Sequence, residues 1–133
     1  MANKSKKILS EISAGELLDK ISILEIKTQK ITDEKNLEEV RKEYKALKEA
    51  QESSVELTDV VKKLFIELKK VNVNLWEIED KIRICEKEND FGKDFIELAR
   101  GVYINNDKRA KIKYEININL GSNIKEIKQY VKY

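Results

Sequence analysis

Apolar residues recur along residues 54–89 with a regularity found nowhere else in the chain. Successive members are alternately four and three positions apart, so they lie along one side of a helix for more than four heptads. They are Leu57, Val61, Leu64, Leu68, Val71, Leu75, Ile78, Ile82 and Cys85. This pattern predicts a long helix with a coiled-coil seam over 54–89, and we expect the rest of the chain to be arranged around it.

A first, shorter helix is predicted over 13–31. Ser13 and Glu16 have the spacing of a capping box, in which the serine accepts from a backbone N–H and the glutamate reaches back to the cap. The apolar residues that follow cover more than one stripe, so this helix should be covered on two sides. Glu25 lies in its most apolar part and needs a partner if it is buried.

A second helix is predicted over 34–51, with Asp33 as its cap. Its apolar stripe is narrow and the remaining positions are charged, which is typical of a surface helix with one buried edge. Ser53 and Glu56 form another capping box, which would open the long helix.

A turn at 89–92, with Asp90 as a cap, separates the long helix from a fourth helix predicted over 91–120. Gly121 is placed to end that helix in the left-handed conformation. Ser122 can start a short C-terminal helix that runs to about Tyr130.

The apolar face of the fourth predicted helix is interrupted by three polar residues, Asn105, Asn106 and Arg109. One interpretation is a continuous helix with a polar layer in its middle. The other is a turn at 105–107 followed by a β-hairpin, because apolar and polar residues alternate over 116–120.

The 133 residues include four glycines and no proline, a composition that permits long uninterrupted helices. We predict an all-α, elongated antiparallel bundle of four helices plus the short C-terminal one, with a basic flexible lead-in at 1–12 and a single domain over 13–133. The long helix would reach about 50 Å, whereas a compact chain of this length is about 35–40 Å across. The molecule is then a rod, or the helix bends near 72–74, or a second subunit covers the overhang; we expect a homodimer.

The formal net charge of +2 conceals basic ends and an acidic middle. Such an asymmetry serves self-association or solubility more often than nucleic-acid binding.

The chain has no histidine, and its only cysteine, Cys85, lies on the apolar seam, so zinc, a disulfide and histidine-based catalysis are not expected. No apolar run approaches the ~20 residues that span a bilayer, and the first residues lack a signal-peptide core, so we expect a cytoplasmic protein.

Several polar side chains and the only tryptophan fall on otherwise apolar helix surfaces. They are Glu25, Asn72, Trp76, Glu79, Arg83, Asn106, Arg109 and Lys113. One interpretation is a site in which arginines hold a small anionic ligand or a partner protein. The other is an internal layer of salt bridges and amides that fixes helix register.

Two pairs of acids three positions apart suggest an alternative chemistry. Glu16 with Asp19 and Glu77 with Asp80 each share a helix face. If the pairs faced each other they could hold Mg²⁺ for hydrolysis of a nucleotide or nucleotide-sugar. All-helical nucleoside triphosphate pyrophosphohydrolases use a similar pairing, but the first pair here lacks the run of glutamates of those enzymes.

Three segments together carry a resemblance to a known family. They are Ser13–Ile21 with Leu24–Lys27, Lys70–Asn72 with Leu75–Arg83, and Phe95–Arg100 with 102–103, 106–107 and 109–110. Over about 13–130 the chain resembles an uncharacterised family of small helical bacterial proteins, a domain of unknown function found near genes for cell-surface polysaccharide synthesis. The resemblance implies a soluble helical accessory protein and favours the continuous fourth helix.

The sequence therefore favours a non-enzymatic helical binding or assembly module without a cofactor, accessory to polysaccharide synthesis if the resemblance extends to function. The Mg²⁺-dependent hydrolase is the competing hypothesis. The two differ in whether the four paired acids converge.

Overall fold

A computed structural model describes residues 5–133 of the chain. It contains four helices, α1 (Ala14–Lys30), α2 (Glu34–Ser54), α3 (Asp59–Lys87) and α4 (Lys93–Asn119), and the described part has no strand. The predicted all-α class is confirmed, and α4 is continuous through 105–107, so the β-hairpin alternative is wrong. Positions 1–4 of the predicted lead-in lie outside the described residues, and residues 5–12 are exposed and outside any helix.

The centre of the fold is α1, not the long helix with the regular seam. α1 packs against each of the other three helices, whereas the helix packing of α2 in the described structure is with α1 only. Leu17, Leu18 and Ile21 of α1 form the core with residues of α3 and α4, namely Val61, Leu64, Leu68 and Ile116. α1 is buried on two sides, as its broad apolar pattern predicts, and this position makes it the central helix.

The junction between α2 and α3 differs from the prediction. α2 continues to Ser54, and the Ser53 hydroxyl donates to the Ala50 carbonyl of its own helix (3.1 Å) instead of capping the next one. α3 begins five residues later than predicted, where Thr58 Oγ1 accepts from the Val61 N–H (3.3 Å). The predicted capping box at 53–56 is therefore wrong.

The turn after α3 is a Schellman motif. Asn89 adopts φ 55°, and the Asp90 N–H donates to the Cys85 carbonyl (2.8 Å). Gly92, not Asp90, is the N-cap residue of α4, and Asp90 Oδ1 instead accepts from the Gly92 N–H within the turn (3.2 Å).

The end of α4 follows the prediction at Gly121 but not beyond it. Gly121 has φ 60°, as a left-handed cap requires. Residues 122–133 contain no helix, and the Ser122 hydroxyl, predicted to start one, bonds to other groups. It accepts from the Ala14 N–H (3.1 Å) and donates to the Ile124 carbonyl (2.7 Å). The segment runs back along α4, where the Tyr133 hydroxyl donates to Asp107 Oδ2 (2.7 Å).

The start of α1 lies directly on the end of α4. Besides Ala14, the Gly15 N–H donates to Asn117 Oδ1 (2.6 Å) and the Glu16 N–H donates to Ser13 Oγ (3.1 Å). The N–H groups that a helix start leaves unpaired are thus bonded by side chains. Because α1 starts there and is about 25 Å long while α3 is about 43 Å long, α3 and α4 extend past α1 at their connected ends. Within residues 5–133 no helix is both long and apolar enough to cross a membrane.

The close approach of α1 and α4 should not tolerate a side chain at Gly15. A Cβ there would lie 2.5 Å from the Lys113 carbonyl oxygen and 2.9 Å from Asn117 Oδ1. We expect Gly15→Ala to lower the free energy of unfolding by about 1–3 kcal/mol, because backbone must move. Urea unfolding measures this change.

Gly101→Ala is the matched control. It is also helical, but its Cβ would meet the end of the Ile78 side chain at 3.0 Å, and alanine favours the helix by about 1 kcal/mol. An equal loss of stability in both variants would contradict the close contact at Gly15.

The ends of α3 and α4 that extend past α1 are where a second subunit would pack, so homodimerisation stays a prediction. The α3 and α4 side chains there include Ile84 and Ile96, each more than half exposed. We expect sedimentation velocity at micromolar concentrations to give a dimer mass that returns to the monomer mass in Ile84→Glu/Ile96→Glu. A monomer mass for the unaltered chain would reject the idea.

Candidate functional site

A buried carboxylate joins three helices. Asp19 of α1 is fully buried and accepts from Arg109 of α4, through Nε to Oδ1 (3.0 Å) and through Nη2 to Oδ2. Asn72 of α3 donates to the same Oδ1 (2.9 Å) and to Ser22 Oγ (2.8 Å). A two-pronged arginine pair with an additional amide donor is the arrangement that a buried carboxylate requires.

A second cation extends this network toward the C-terminal segment. Lys113 is buried and donates to Glu16 Oε2 (2.7 Å) and to Glu126 Oε2 (3.2 Å), and its ammonium lies 3.7 Å from Asp19 Oδ2. Every buried side-chain nitrogen and oxygen in the described residues has a hydrogen-bond partner. The network therefore satisfies itself without a ligand.

Both cations are held in the charged form. The hydrogen bond to Asp19 raises the pKa of Arg109 above its ordinary value, against burial, which lowers it. Burial also lowers the pKa of Lys113, but its bond to Glu16 and the charge of Asp19 outweigh burial, so the pKa is raised. The Lys113 bond lowers the pKa of Glu126, so this contact stabilises the fold at neutral pH and is lost as the pH falls through the lowered value.

A cleft of about 370 Å³ opens beside the network, between α1, α3 and α4. Its apolar walls are Ile23, Ile26 and Leu75, and its remaining lining residues are Asn72, Trp76, Glu79, Asp80, Arg83 and Arg109. Five of the polar and aromatic residues singled out in the sequence thus lie around one cavity.

Arg109 belongs to both the network and the cleft. Of the five N–H groups of a guanidinium, two donate to Asp19. The Asp19 contacts fix the plane of the guanidinium. Its other three N–H groups make no hydrogen bond to the described residues, and the Arg109 side chain lines the cleft. Arg83 is different, since its side chain is 76% exposed and pairs with Glu79 one turn away (3.3 Å).

The structure separates the remaining predicted residues from the cleft. Glu25 does find a partner, but on another side of α1, where it accepts from Lys69 (2.9 Å) and from the Tyr44 hydroxyl (3.5 Å). Asn106 lies half-buried one turn before Arg109 on α4 and is not part of the cleft lining. Lys113 is buried with Glu16. Glu25 is therefore paired away from Arg109, and Asp19 is the acid that Arg109 binds.

The two acid pairs do not assemble a metal site. Glu16 and Asp19 are bound by Lys113 and Arg109, Glu77 is exposed, and Asp80 lies at the cleft. Among residues 5–133, no three aspartate, glutamate, cysteine or histidine side chains could together hold a metal ion. The geometry gives no support to Mg²⁺ chemistry at these positions.

Sequence reasoning missed the parts of the site that depend on contacts between helices. The sequence pattern identifies Asp19 only as half of an acid pair and does not identify Ser22 as a member of the site. A signal was present, because Asp19 and Ser22 lie between the apolar residues of a helix predicted to be covered on two sides. Its partner could not be chosen without the placement of α4.

Removal of the arginine should leave Asp19 with an uncompensated buried charge. We expect Arg109→Ala to lower the free energy of unfolding by about 3–5 kcal/mol, measured by urea unfolding at neutral pH. Arg83→Ala should change it by less than about 1 kcal/mol, because that ion pair is exposed. If the two variants were equally stable, the structural role of the Asp19–Arg109 pair would be refuted.

Comparison with known proteins gives a family but no characterised relative. None of the curated proteins and none of the solved structures matches the chain significantly. The model of one family matches residues 8–132, nearly the whole chain. The protein belongs to this family, which is described as a family of unknown function (DUF6165).

Proposed function

We propose that the protein is a non-enzymatic binding module whose cleft between α1, α3 and α4 recognises a small ligand carrying one anionic group. The observation that supports this proposal best is Arg109. Its guanidinium is fixed by a buried carboxylate through two of its N–H groups, and the side chain lines the cleft. A rigid donor of this kind binds a carboxylate or phosphate oxygen with little loss of side-chain freedom.

The charges around the cleft limit what this ligand can be. The cleft lining has two cations, Arg83 and Arg109, and two acids, Glu79 and Asp80. Arg109 is also paired with the buried Asp19. The cleft therefore has no excess of positive charge, which disfavours a multiply charged anion such as a nucleoside triphosphate. One anionic group with a hydrogen-bonding remainder matches this balance.

The other walls of the cleft indicate the shape of the remainder. Trp76 is half-buried and lies beside Ile23, Ile26 and Leu75, so an apolar ring face could pack there. A volume near 370 Å³ is within the range of small-molecule sites. A sugar acid or a sugar phosphate fits this description, and such compounds would agree with the link to polysaccharide synthesis that the resemblance implies. On that basis we propose a role as an accessory protein of polysaccharide synthesis.

Thermal unfolding with defined probes tests the proposal. We expect glucuronate or glucose 6-phosphate to raise the midpoint and neutral glucose to have a smaller effect. A ligand at ten times its dissociation constant adds about 1.4 kcal/mol, or roughly 3–8 °C for a domain of this size. ATP with Mg²⁺ is the probe for the hydrolase hypothesis, which predicts that this pair raises the midpoint instead.

The matched variants are Arg83→Gln and Arg41→Gln. Both arginines are exposed and ion-paired, but only Arg83 lines the cleft. Arg83→Gln should reduce the shift and Arg41→Gln should retain it. The proposed cleft would be rejected if neither anionic probe raised the unfolding midpoint. It would also be rejected if Arg83→Gln and Arg41→Gln reduced the shift of the midpoint equally.

A further inference from the structure

The most exposed large hydrophobic side chains of the described protein all lie in the two terminal segments, 5–12 and 122–133. Ile8, Leu9, Ile127, Tyr130, Val131 and Tyr133 are 73% to 93% exposed, whereas no other such side chain exceeds 55%. Isolated exposed apolar residues are ordinary, but a group concentrated in two segments indicates an interaction surface.

The same segments are basic. Residues 5–12 carry Lys6 and Lys7 against Glu11, and residues 122–133 carry Lys125, Lys128 and Lys132 against Glu126. Residues 13–121, between the two segments, have a net formal charge of −2. The excess positive charge therefore coincides with the exposed apolar side chains.

Contacts within the fold bring the two segments together and use their acids. Asn123 donates to Glu11 Oε2 (2.8 Å), and next to it Ser122 accepts from the Ala14 N–H (3.1 Å). Glu126 is bound by Lys113 from below (3.2 Å). Lys125, Lys128 and Lys132 are exposed, although Lys128 also lies 3.8 Å from Glu126 Oε1. The acids of this terminal surface are thus engaged, and its lysines remain accessible to solvent.

The C-terminal segment also has an amphipathic pattern that it does not use here. Ile124, Ile127 and Val131 have the three- and four-residue spacing of one helix face, with Lys125 and Lys128 between them. Residues 122–133 nevertheless contain no helix. A segment of this kind gains a helix when an apolar environment covers that face.

We propose that the terminal surface, residues 5–12 and 122–133, binds the surface of a bilayer containing anionic phospholipids. Lysines attract the acidic headgroups, and aliphatic and tyrosine side chains enter the interface beneath them. Nucleic acid also attracts lysines, but it offers no apolar phase for Ile8, Leu9, Ile127 and Val131. The inference is independent of the cleft, which is built by other residues.

Vesicle co-sedimentation of the full chain tests this proposal. We expect the chain to bind phosphatidylcholine vesicles that contain roughly 30% phosphatidylglycerol and to bind pure phosphatidylcholine at least ten-fold less. Because each lysine near an anionic surface contributes about five-fold to partitioning, Lys125→Gln/Lys128→Gln/Lys132→Gln should reduce binding at least ten-fold. Ile127→Ser/Val131→Ser should also reduce it, which charge attraction alone does not predict.

Two control variants change equivalent residues elsewhere on the surface. Lys35→Gln/Lys81→Gln/Lys87→Gln removes three exposed lysines, and Val60→Ser/Ile66→Ser removes an exposed valine and an exposed isoleucine of α3. Both should retain most of the vesicle binding. Absence of binding to the anionic vesicles, equal losses in the control variants, or binding to single-stranded RNA without binding to vesicles would overturn the proposal.

Discussion

The burial of the Asp19 carboxylate is the constraint on which the rest of the structure depends. A carboxylate removed from water costs several kcal/mol unless cations and donors replace the lost hydration. Asp19 meets this demand with Arg109 and Asn72, which belong to the two other helices of the core. α1, α3 and α4 can therefore pack in only one register, since a shift of any one of them would leave a buried charge without its partner.

The same constraint connects fold and proposed function. Arg109 is rigid at the cleft because Asp19 holds it, and it is nearly neutralised for the same reason. A site built in this way selects ligands by the geometry of its donors more than by attraction of charge. The structural and the ligand-binding interpretations of the polar layer, which the sequence left as alternatives, are thus compatible, because the side chain that holds Asp19 is also the one proposed to meet the ligand.

Sequence pattern predicted the helices well and their connections poorly. Period and capping residues placed α1, α2 and α4 closely, since Ser13, Asp33 and Gly121 act through neighbours in the chain. Ser122 had an equally good local signal, but a backbone group of α1 uses its hydroxyl. Glu25 and Asp19 were both acids beside apolar residues, and only the packing of α4 on α1 determines which of them is fully buried. Contacts between neighbours in the chain could be predicted from the sequence, whereas the choice among distant hydrogen-bond partners could not.

The contacts at the start of α1 impose an order on how the fold can be completed during protein synthesis. The hydrogen-bond partner of the Gly15 N–H is Asn117, which is synthesised 102 residues later, and that of Asp19 is Arg109, which is synthesised 90 residues later. A ribosome therefore releases the central helix with its carboxylate and N–H groups still in water, and three-helix intermediates that lack α4 cannot bury them. Burial of these α1 groups therefore has to wait until α4 has been synthesised and packs against α1.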